Sequence, residues 1–179
     1  MDIEIVKVGD LECNCYLLVK DNKVLLIDPG DEGDKIINKV GNRKVVGIII
    51  THYHYDHVGA LNDIVSRYNI PVYDRSNLFE GKNKIDKFVF DVIYTPGHKE
   101  EAITVYFKED KCMFCGDFIF KDSIGRCDLP GGNIDDMKNS INKIKKYDHD
   151  IVIYPGHGEK TNLGYEVEKN LYFLHIDML

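Results

Sequence analysis

The sequence predicts an α+β fold in which two β-sheets are packed together and carry helices on their outer faces. Strand-like apolar runs come in two consecutive groups along the chain, and segments with helical spacing of apolar residues lie among them. Strands grouped in this way are typical of layered folds, because each sheet must bury its apolar face. At 179 residues the chain is long enough for one sizeable core and short for two. We therefore expect a single domain over residues 1–179.

The first half of the chain is predicted to contain strands with tight turns, followed by helices and further strands. Residues 3–8 alternate between apolar and polar side chains, as in a strand with one buried face. Residues 45–50 form a continuous apolar run, as in a strand that is covered on both faces. The predicted strands are 3–8, 16–19, 23–27, 45–50 and 71–73, and the predicted helices are 34–40 and 58–68.

The second half repeats this arrangement of strands with a helix among them. The predicted strands are 88–94, 103–107, 112–115 and 151–154, and the predicted helix is 134–145. The sequence contains no low-complexity tract, no linker and no long block of charge. Two groups of strands with interspersed helices therefore support the two-sheet prediction.

Composition excludes several classes of function. The net charge of −7 disfavours a nucleic-acid partner, which normally requires a basic face. No stretch approaches the ~20 apolar residues that cross a bilayer, and the acidic N-terminus does not resemble a signal peptide. The five cysteines are an odd number, which favours reduced thiols. We expect a cytoplasmic protein with a small-molecule substrate and no membrane partner; the sequence carries no indication of oligomeric state.

Residues 51–57, Thr-His-Tyr-His-Tyr-Asp-His, follow the apolar strand directly and predict a metal site. In an extended segment His52 and His54 project to the same side because they are two residues apart. Asp56 and His57 follow as the chain turns, and they can face the other side of a small cavity. A solvated histidine-rich turn is the alternative, but the strand before this loop and the helical segment after it anchor the loop in the fold.

Three further metal-capable residues follow a glycine at the end of a predicted strand. They are His98, Asp117 and His157. A preceding glycine allows the backbone to turn sharply and to approach a ligand closely. Any one of these positions could be an ordinary turn, but three repetitions beside the histidine-rich loop favour a shared site.

Five histidines and two aspartates predict a pair of divalent metal ions. This ligand set suits zinc, with iron or manganese as alternatives, and the lack of cysteine ligands argues against a closed structural zinc site. Two divalent ions bring four positive charges, of which two aspartates and one bridging hydroxide remove three. The remaining charge can stabilise an oxyanion, and a water shared by two ions ionises near neutral pH.

The sequence resembles the metallo-β-lactamase-fold hydrolases and, among them, the small glyoxalase II-like (hydroxyacylglutathione hydrolase-like) proteins. The matching motifs are Asp-Pro-Gly at 28–30, His-x-His-x-Asp-His at 52–57, Thr-Pro-Gly-His at 95–98, Gly-Asp at 116–117, Gly-Arg-x-Asp-x-Pro-Gly-Gly at 125–132 and Gly-His-Gly-x-x-Thr at 156–161. The resemblance implies an αββα four-layer sandwich with the metals at one edge, between two mixed sheets. It implies that the first metal is held by His52, His54 and His98, the second by Asp56, His57 and His157, and that Asp117 bridges them.

The same resemblance bears on the substrate. In glyoxalase II-like proteins a basic residue at the position of Arg126 helps to hold the substrate's carboxylate, and a guanidinium suits that geometry. The alternative for this glycine-rich loop is a plain surface turn in which Arg126 pairs with Asp128. Full-length glyoxalase II has a C-terminal helical domain, whereas fewer than twenty-five residues follow His157 here. The family's usual turn after the Thr-Pro-Gly-His motif is replaced by Lys99-Glu100-Glu101-Ala102.

We therefore expect a thioester hydrolase of the hydroxyacylglutathione type, in which a metal-bridging hydroxide is the nucleophile and Asp56 orients it. Three alternatives stay open. The first is an oxidoreductase that resembles persulfide dioxygenases and uses one iron ion. The second is a metallohydrolase acting on a lactone or another ester, and the third is a non-catalytic protein in which the metals hold a binding surface together.

Overall fold

The computed structural model describes residues 1–178, and its first sheet contains five strands in the order β1–β2–β3–β4–β5. β1 to β3 form an antiparallel meander, in which Asp21 and Asn22 make the β2–β3 turn at positive φ, as tight hairpin turns require. β3, β4 and β5 are parallel neighbours. The strands are β1 (Asp2–Val8), β2 (Cys13–Lys20), β3 (Lys23–Ile27), β4 (Lys44–Ile49) and β5 (Val72–Tyr73).

The second sheet has six strands in the order β13–β12–β9–β8–β7–β6. Only the β12–β9 pair is parallel, so both sheets are mixed. A separate two-stranded hairpin, β10 with β11, follows β9. The strands are β6 (Gly81–Ile85), β7 (Phe88–Tyr94), β8 (Ile103–Phe107), β9 (Cys112–Gly116), β10 (Ile119–Phe120), β11 (Ser123–Ile124), β12 (Val152–Pro155) and β13 (Thr161–Asn162).

Three apolar clusters show that the chain is a four-layer sandwich. One cluster lies between the sheets and joins side chains such as Leu25 of β3 and Phe114 of β9. A second lies on the outer face of the first sheet beneath α1 and α3, and a third lies on the outer face of the second sheet beneath α4 to α6. The helices are α1 (Gly33–Val40), α2 (Tyr55–Val58), α3 (Leu61–Tyr68), α4 (Ile134–Ile144), α5 (Leu163–Lys169) and α6 (Leu171–Leu174). The predicted αββα architecture is confirmed.

The predicted helix over residues 58–68 is wrong in one respect, because the structure divides this region into α2 and α3. The break is at Gly59 and Ala60, where the chain packs against the turn that follows β3. The Ala60 amide donates to the Pro29 carbonyl at 3.0 Å, and a Cβ at position 59 would overlap the Gly30 carbonyl. Tertiary contact with the turn at Pro29–Gly30 therefore interrupts a segment whose apolar spacing favours one helix.

Several helices and strands of the structure were not predicted from the sequence pattern. β6 has the polar sequence Gly-Lys-Asn-Lys-Ile and lies at the edge of its sheet, so it lacks the apolar alternation of a half-buried strand. α5 and α6 are short, and each begins at an asparagine, Asn162 or Asn170, whose side chain accepts from backbone amides of the first turn. In the described part of the chain, no helix has the length and apolarity to cross a lipid bilayer.

Candidate metal centre

The histidine-rich loop connects β4 to α2 at the edge where the two sheets meet. It is extended through His54, which caps α2, and the His57 amide donates to the His54 carbonyl at 3.0 Å. The extended part directs His52 and His54 towards each other, and the first turn of α2 carries Asp56 and His57 to the opposite side. The loop thus has the two-sided arrangement that its spacing predicts.

His52, His54 and His98 form the first group of nitrogen atoms. The Nδ1 atom of His54 lies 3.1 Å from Nε2 of His52 and 2.8 Å from Nε2 of His98. Two nitrogens bound tetrahedrally to one zinc ion, each at about 2.0–2.1 Å, are roughly 3.3 Å apart. The two separations at His54 are slightly shorter than this value, and the three rings are close enough together to hold one ion.

Asp56, His57 and His157 form the second group, and Asp117 lies between the groups. Nε2 of His157 is 3.0 Å from the Asp56 carboxylate, and Nε2 of His57 is 3.8 Å from it. One oxygen of Asp117 lies 3.2 Å from Nε2 of His57, and the other lies 3.6 Å from Nε2 of His98 and of His157. The structure thus brings all seven predicted metal ligands together, with Asp117 central.

Two buried polar atoms in this cluster lack a hydrogen-bond partner. They are Nε2 of His57 and Oδ1 of Asp117. Although these atoms are 3.2 Å apart, they do not meet the geometry of a hydrogen bond. An unpaired buried polar atom costs roughly 1–3 kcal/mol, and coordination to a metal ion removes that cost. The donor set and these two unpaired atoms both fit a bound metal.

The second ring nitrogen of four of these histidines is held by a neighbouring oxygen. This arrangement fixes the orientation of each ring and leaves Nε2 free to face the site. The pairs are His52 with Thr51 Oγ1 at 3.2 Å, His57 with Asp28 Oδ2 at 2.8 Å, His98 with the Arg126 carbonyl at 2.7 Å and His157 with the Leu11 carbonyl at 2.9 Å. His54 is the exception and faces the other rings with Nδ1.

Asp28 is a positioning residue that the sequence prediction did not select. It is buried after β3 at a φ of 51°. Its carboxylate accepts from the Thr51 amide at 2.8 Å, from the Thr51 hydroxyl at 2.6 Å and from His57. The signal in the sequence is the Asp-Pro-Gly motif at 28–30, which belongs to the family resemblance but carried no assigned role.

The Cys13 thiol of β2 also lies beside the second group. The thiol and one nitrogen each of His57 and His157 lie within 4.8 Å of one another. Burial raises the pKa of this thiol. A sulfur atom is therefore within reach of a site that the sequence predicts to be purely nitrogen and oxygen.

The two groups of histidines differ electrostatically. Burial, followed by the charges of neighbouring imidazoles, lowers the pKa of His52 and His54. Burial also opposes a charge on His57, but the carboxylates of Asp28 and Asp117 outweigh it and raise the pKa of His57. A hydrogen bond to Asp56 raises the pKa of His157. The carboxylate-rich side of the site therefore retains protons more strongly.

The glycines before Asp117 and His157 are required by close approach. Gly116 has a φ of 51°, and a Cβ there would overlap the Thr51 side chain. At Gly156 a Cβ would overlap the Asp117 carboxylate and the His57 ring. The loop after β12 is further held by β2, since the side-chain amide of Asn14 donates to the carbonyls of residues 155 and 158 at 3.1 Å each.

A cleft of about 760 Å³ opens over the cluster. Arg126 lies on its wall, but the guanidinium forms a two-pronged ion pair with Asp128 at 2.7 and 2.6 Å. The Lys99–Ala102 segment, which replaces the family's usual turn, still forms a hydrogen-bonded turn after His98. The Thr95 amide donates to the Ala102 carbonyl at 3.1 Å, and the Glu101 carboxylate accepts from the Tyr53 amide at 3.1 Å. Besides the ligand candidates, the lining residues are Leu11, Tyr55, Lys99, Arg126, Leu129 and Pro130.

Comparisons with known proteins show which family the chain is similar to. The family model described as the metallo-beta-lactamase superfamily matches residues 8–83 and 76–157. The hydroxyacylglutathione hydrolase GloC of Haemophilus influenzae is 30% identical, over 95% of this chain and 97% of that protein. BLEG-1, a B3 metallo-beta-lactamase, has a crystal structure that is similar with a TM-score of 0.92 and 28% identity, over 96% of this chain and 99% of that one. TTHA1623 in a di-iron-bound form has a TM-score of 0.87 and 30% identity, over 94% and 99%.

Proposed function

Since this chain belongs to the metallo-beta-lactamase superfamily and is a metal-dependent hydrolase, we propose that its substrates are thioesters of the hydroxyacylglutathione type. We propose a single domain that acts in the cytoplasm on a small molecule, without a nucleic-acid or membrane partner. All five cysteines are free thiols, which is consistent with a reducing compartment.

The observation that carries the proposal is the convergence of six metal-capable side chains, in two groups, around a seventh, Asp117. The similarity between this chain and GloC extends over nearly the whole of both proteins, and it favours a thioester over other acyl compounds. We assign His52, His54 and His98 to the first ion and Asp56, His57 and His157 to the second.

The residues around the site suit acyl transfer to water. Two divalent ions held there would supply a water that ionises near neutral pH and a positive charge for the oxyanion. Asp56 would hold the second ion together with His157, whose Nε2 atom lies 3.0 Å from the Asp56 carboxylate, and it would orient the nucleophile there. The cleft needs no dedicated general acid, because a thiolate leaves without protonation.

We propose zinc as the metal at both positions, with iron or manganese as the alternatives. The nitrogen-rich first group suits zinc, and TTHA1623 binds two irons according to its description. A dioxygenase with one iron, the competing oxidoreductase, would leave at least three of the seven side chains without a role. The two-metal hydrolase uses all of them.

The test is hydrolysis by the purified protein after loading with zinc, iron or manganese, with the metal content measured by elemental analysis. We expect release of thiol from S-lactoylglutathione with about two metal ions per chain. Asp56→Asn should lower kcat by at least about 100-fold. Hydrolysis of lactones or of a β-lactam in place of thioesters would contradict the substrate, and oxygen uptake with one iron per chain would contradict the reaction type.

A further inference from the structure

A lysine without a carboxylate partner lies in the cleft wall beside the first group of histidines. Lys99 is half-buried, and its Nζ atom donates to the Pro130 carbonyl at 3.1 Å. Among residues 1–178 no carboxylate oxygen lies within ion-pair distance of Nζ. An ammonium group has three donors, so at least two are free to bind a ligand in the cleft.

The loop opposite Lys99 is shaped to receive its side chain. Gly131 has a φ of +87°, and a Cβ there would lie 3.0 Å from Nζ of Lys99 and 3.4 Å from its Cδ and Cε atoms. The missing side chain at Gly131 thus leaves a channel along which the lysine stem lies. This contact and the Pro130 carbonyl hold the ammonium at one position on the wall.

The other cation on the wall, Arg126, is already engaged. The Nε and Nη2 atoms of its guanidinium donate to Asp128, and this ion pair lowers the pKa of Asp128 to about 2. Asp128 is therefore ionised throughout the neutral range and keeps Arg126 neutralised. An incoming carboxylate would have to compete with Asp128 for Arg126, whereas no carboxylate of the described residues competes at Lys99.

We propose that Lys99 is the specificity-determining residue of the cleft and that it binds a carboxylate of the substrate, while Arg126 remains paired with Asp128. The inference rests on the proposed function and names the residue that recognises a carboxylate of those thioesters. The family resemblance assigns carboxylate binding to Arg126. We assign it instead to Lys99, which lies in the turn that departs from the family pattern.

The experiment compares S-lactoylglutathione with its dimethyl ester, which has the same skeleton and no carboxylate. The variants are Lys99→Met, Lys99→Arg, Arg126→Met and Lys160→Met, the last being an exposed lysine outside the cleft. We expect Lys99→Met to raise KM for S-lactoylglutathione about tenfold with kcat within about twofold, and to leave KM for the ester unchanged. Lys99→Arg should restore most of the loss, Arg126→Met should cost less than Lys99→Met, and Lys160→Met should match the wild type.

The inference is overturned if Lys99→Met behaves as the wild type, if it affects both substrates equally, or if Arg126→Met carries the whole loss. Binding of S-methylglutathione, a thioether that cannot be hydrolysed, distinguishes failure of the role of Lys99 from failure of the proposed thioester hydrolysis. If neither thioester is hydrolysed but S-methylglutathione binds and Lys99→Met weakens that binding, thioester hydrolysis fails and the role of Lys99 stands. If S-methylglutathione does not bind the wild type, the role of Lys99 fails.

Discussion

At the scale of single residues, the carboxylate of Asp28 determines how His57 faces the site. Three donors converge on it, from the Thr51 amide, the Thr51 hydroxyl and the His57 ring. Asp28 therefore fixes the histidine ring and the start of the histidine-rich loop together. Such a residue supports metal binding without contacting the metal.

We expect Asp28→Asn to weaken metal binding by about 10–100-fold, because an amide holds the His57 ring less firmly and no longer makes it more basic. Competition with a chromophoric chelator measures the affinity at each site. Asp31→Asn is the matched control, since Asp31 is exposed in the same turn. Equal affinities in wild type and Asp28→Asn would show that His57 is oriented by other contacts.

Metal binding should depend on pH through His57 and His157. Carboxylates raise the pKa of both imidazoles, so in the metal-free chain they retain protons to higher pH than an isolated histidine, whose pKa is about 6.5. A metal must displace those protons, and affinity should therefore rise with pH until both rings are neutral. Calorimetric titrations in buffers of different ionisation enthalpy count the protons released. A metal affinity that does not change with pH would contradict the raised pKa values of these two imidazoles.

At the scale of elements, the strand ends explain what the sequence could predict of the site. The glycines at 97, 116 and 156 lie at or just after the ends of three strands, and the residue after each glycine lies beside the histidine-rich loop. The structure thus brings all seven predicted metal ligands together. Local pattern left open whether Arg126 pairs with Asp128 or binds a substrate, and it could not show that Asp28 supports His57, because both depend on side-chain contacts in the folded chain. The ligand roles stay predictions until metal is measured.

The same distinction explains the errors in secondary structure. The long apolar strands were predictable because burial on one or both faces leaves a period in the sequence. The break between α2 and α3 was not, since it results from contact with the turn at Pro29–Gly30. β6 was missed because its backbone pairing, and not its side chains, places it in the sheet.

We expect Gly156→Ala, in the loop after β12, to abolish metal binding at the second group and to destabilise the fold by at least about 2 kcal/mol. A Cβ there would overlap both the Asp117 carboxylate and the His57 ring. Gly158→Ala is the control, because no atom lies within 4 Å of its added Cβ and only its φ of +75° opposes the change. Denaturant unfolding and metal content distinguish the two. A fully loaded Gly156→Ala protein would contradict the packing.

At the scale of the whole molecule, the site lies across the two sheets. The histidine-rich loop follows a strand of the first sheet, whereas His98, Asp117 and His157 follow strands of the second. β2 also reaches across to hold the loop that carries His157. Neither sheet alone presents a complete group of ligands.

Metal should therefore stabilise the complete fold. A metal present at 100 times its dissociation constant adds about 2.7 kcal/mol per site to the free energy of unfolding. For a chain of this size each kcal/mol raises Tm by roughly 2–4 °C, so one filled site should raise Tm by about 5–10 °C. Scanning calorimetry with zinc and with excess chelator measures the difference, and magnesium, which disfavours nitrogen ligands, is the control. An unchanged Tm would mean that the folded chain does not hold the metal.

The placement of the ligands across both sheets also bears on the order of events when the chain folds. About a hundred residues separate His52 from His157, so we expect the ligands to converge after most of the long-range contacts have formed. Contacts made after the transition state slow unfolding and leave the folding rate nearly unchanged. Metal supply should therefore govern how long each folded molecule survives rather than how quickly it forms.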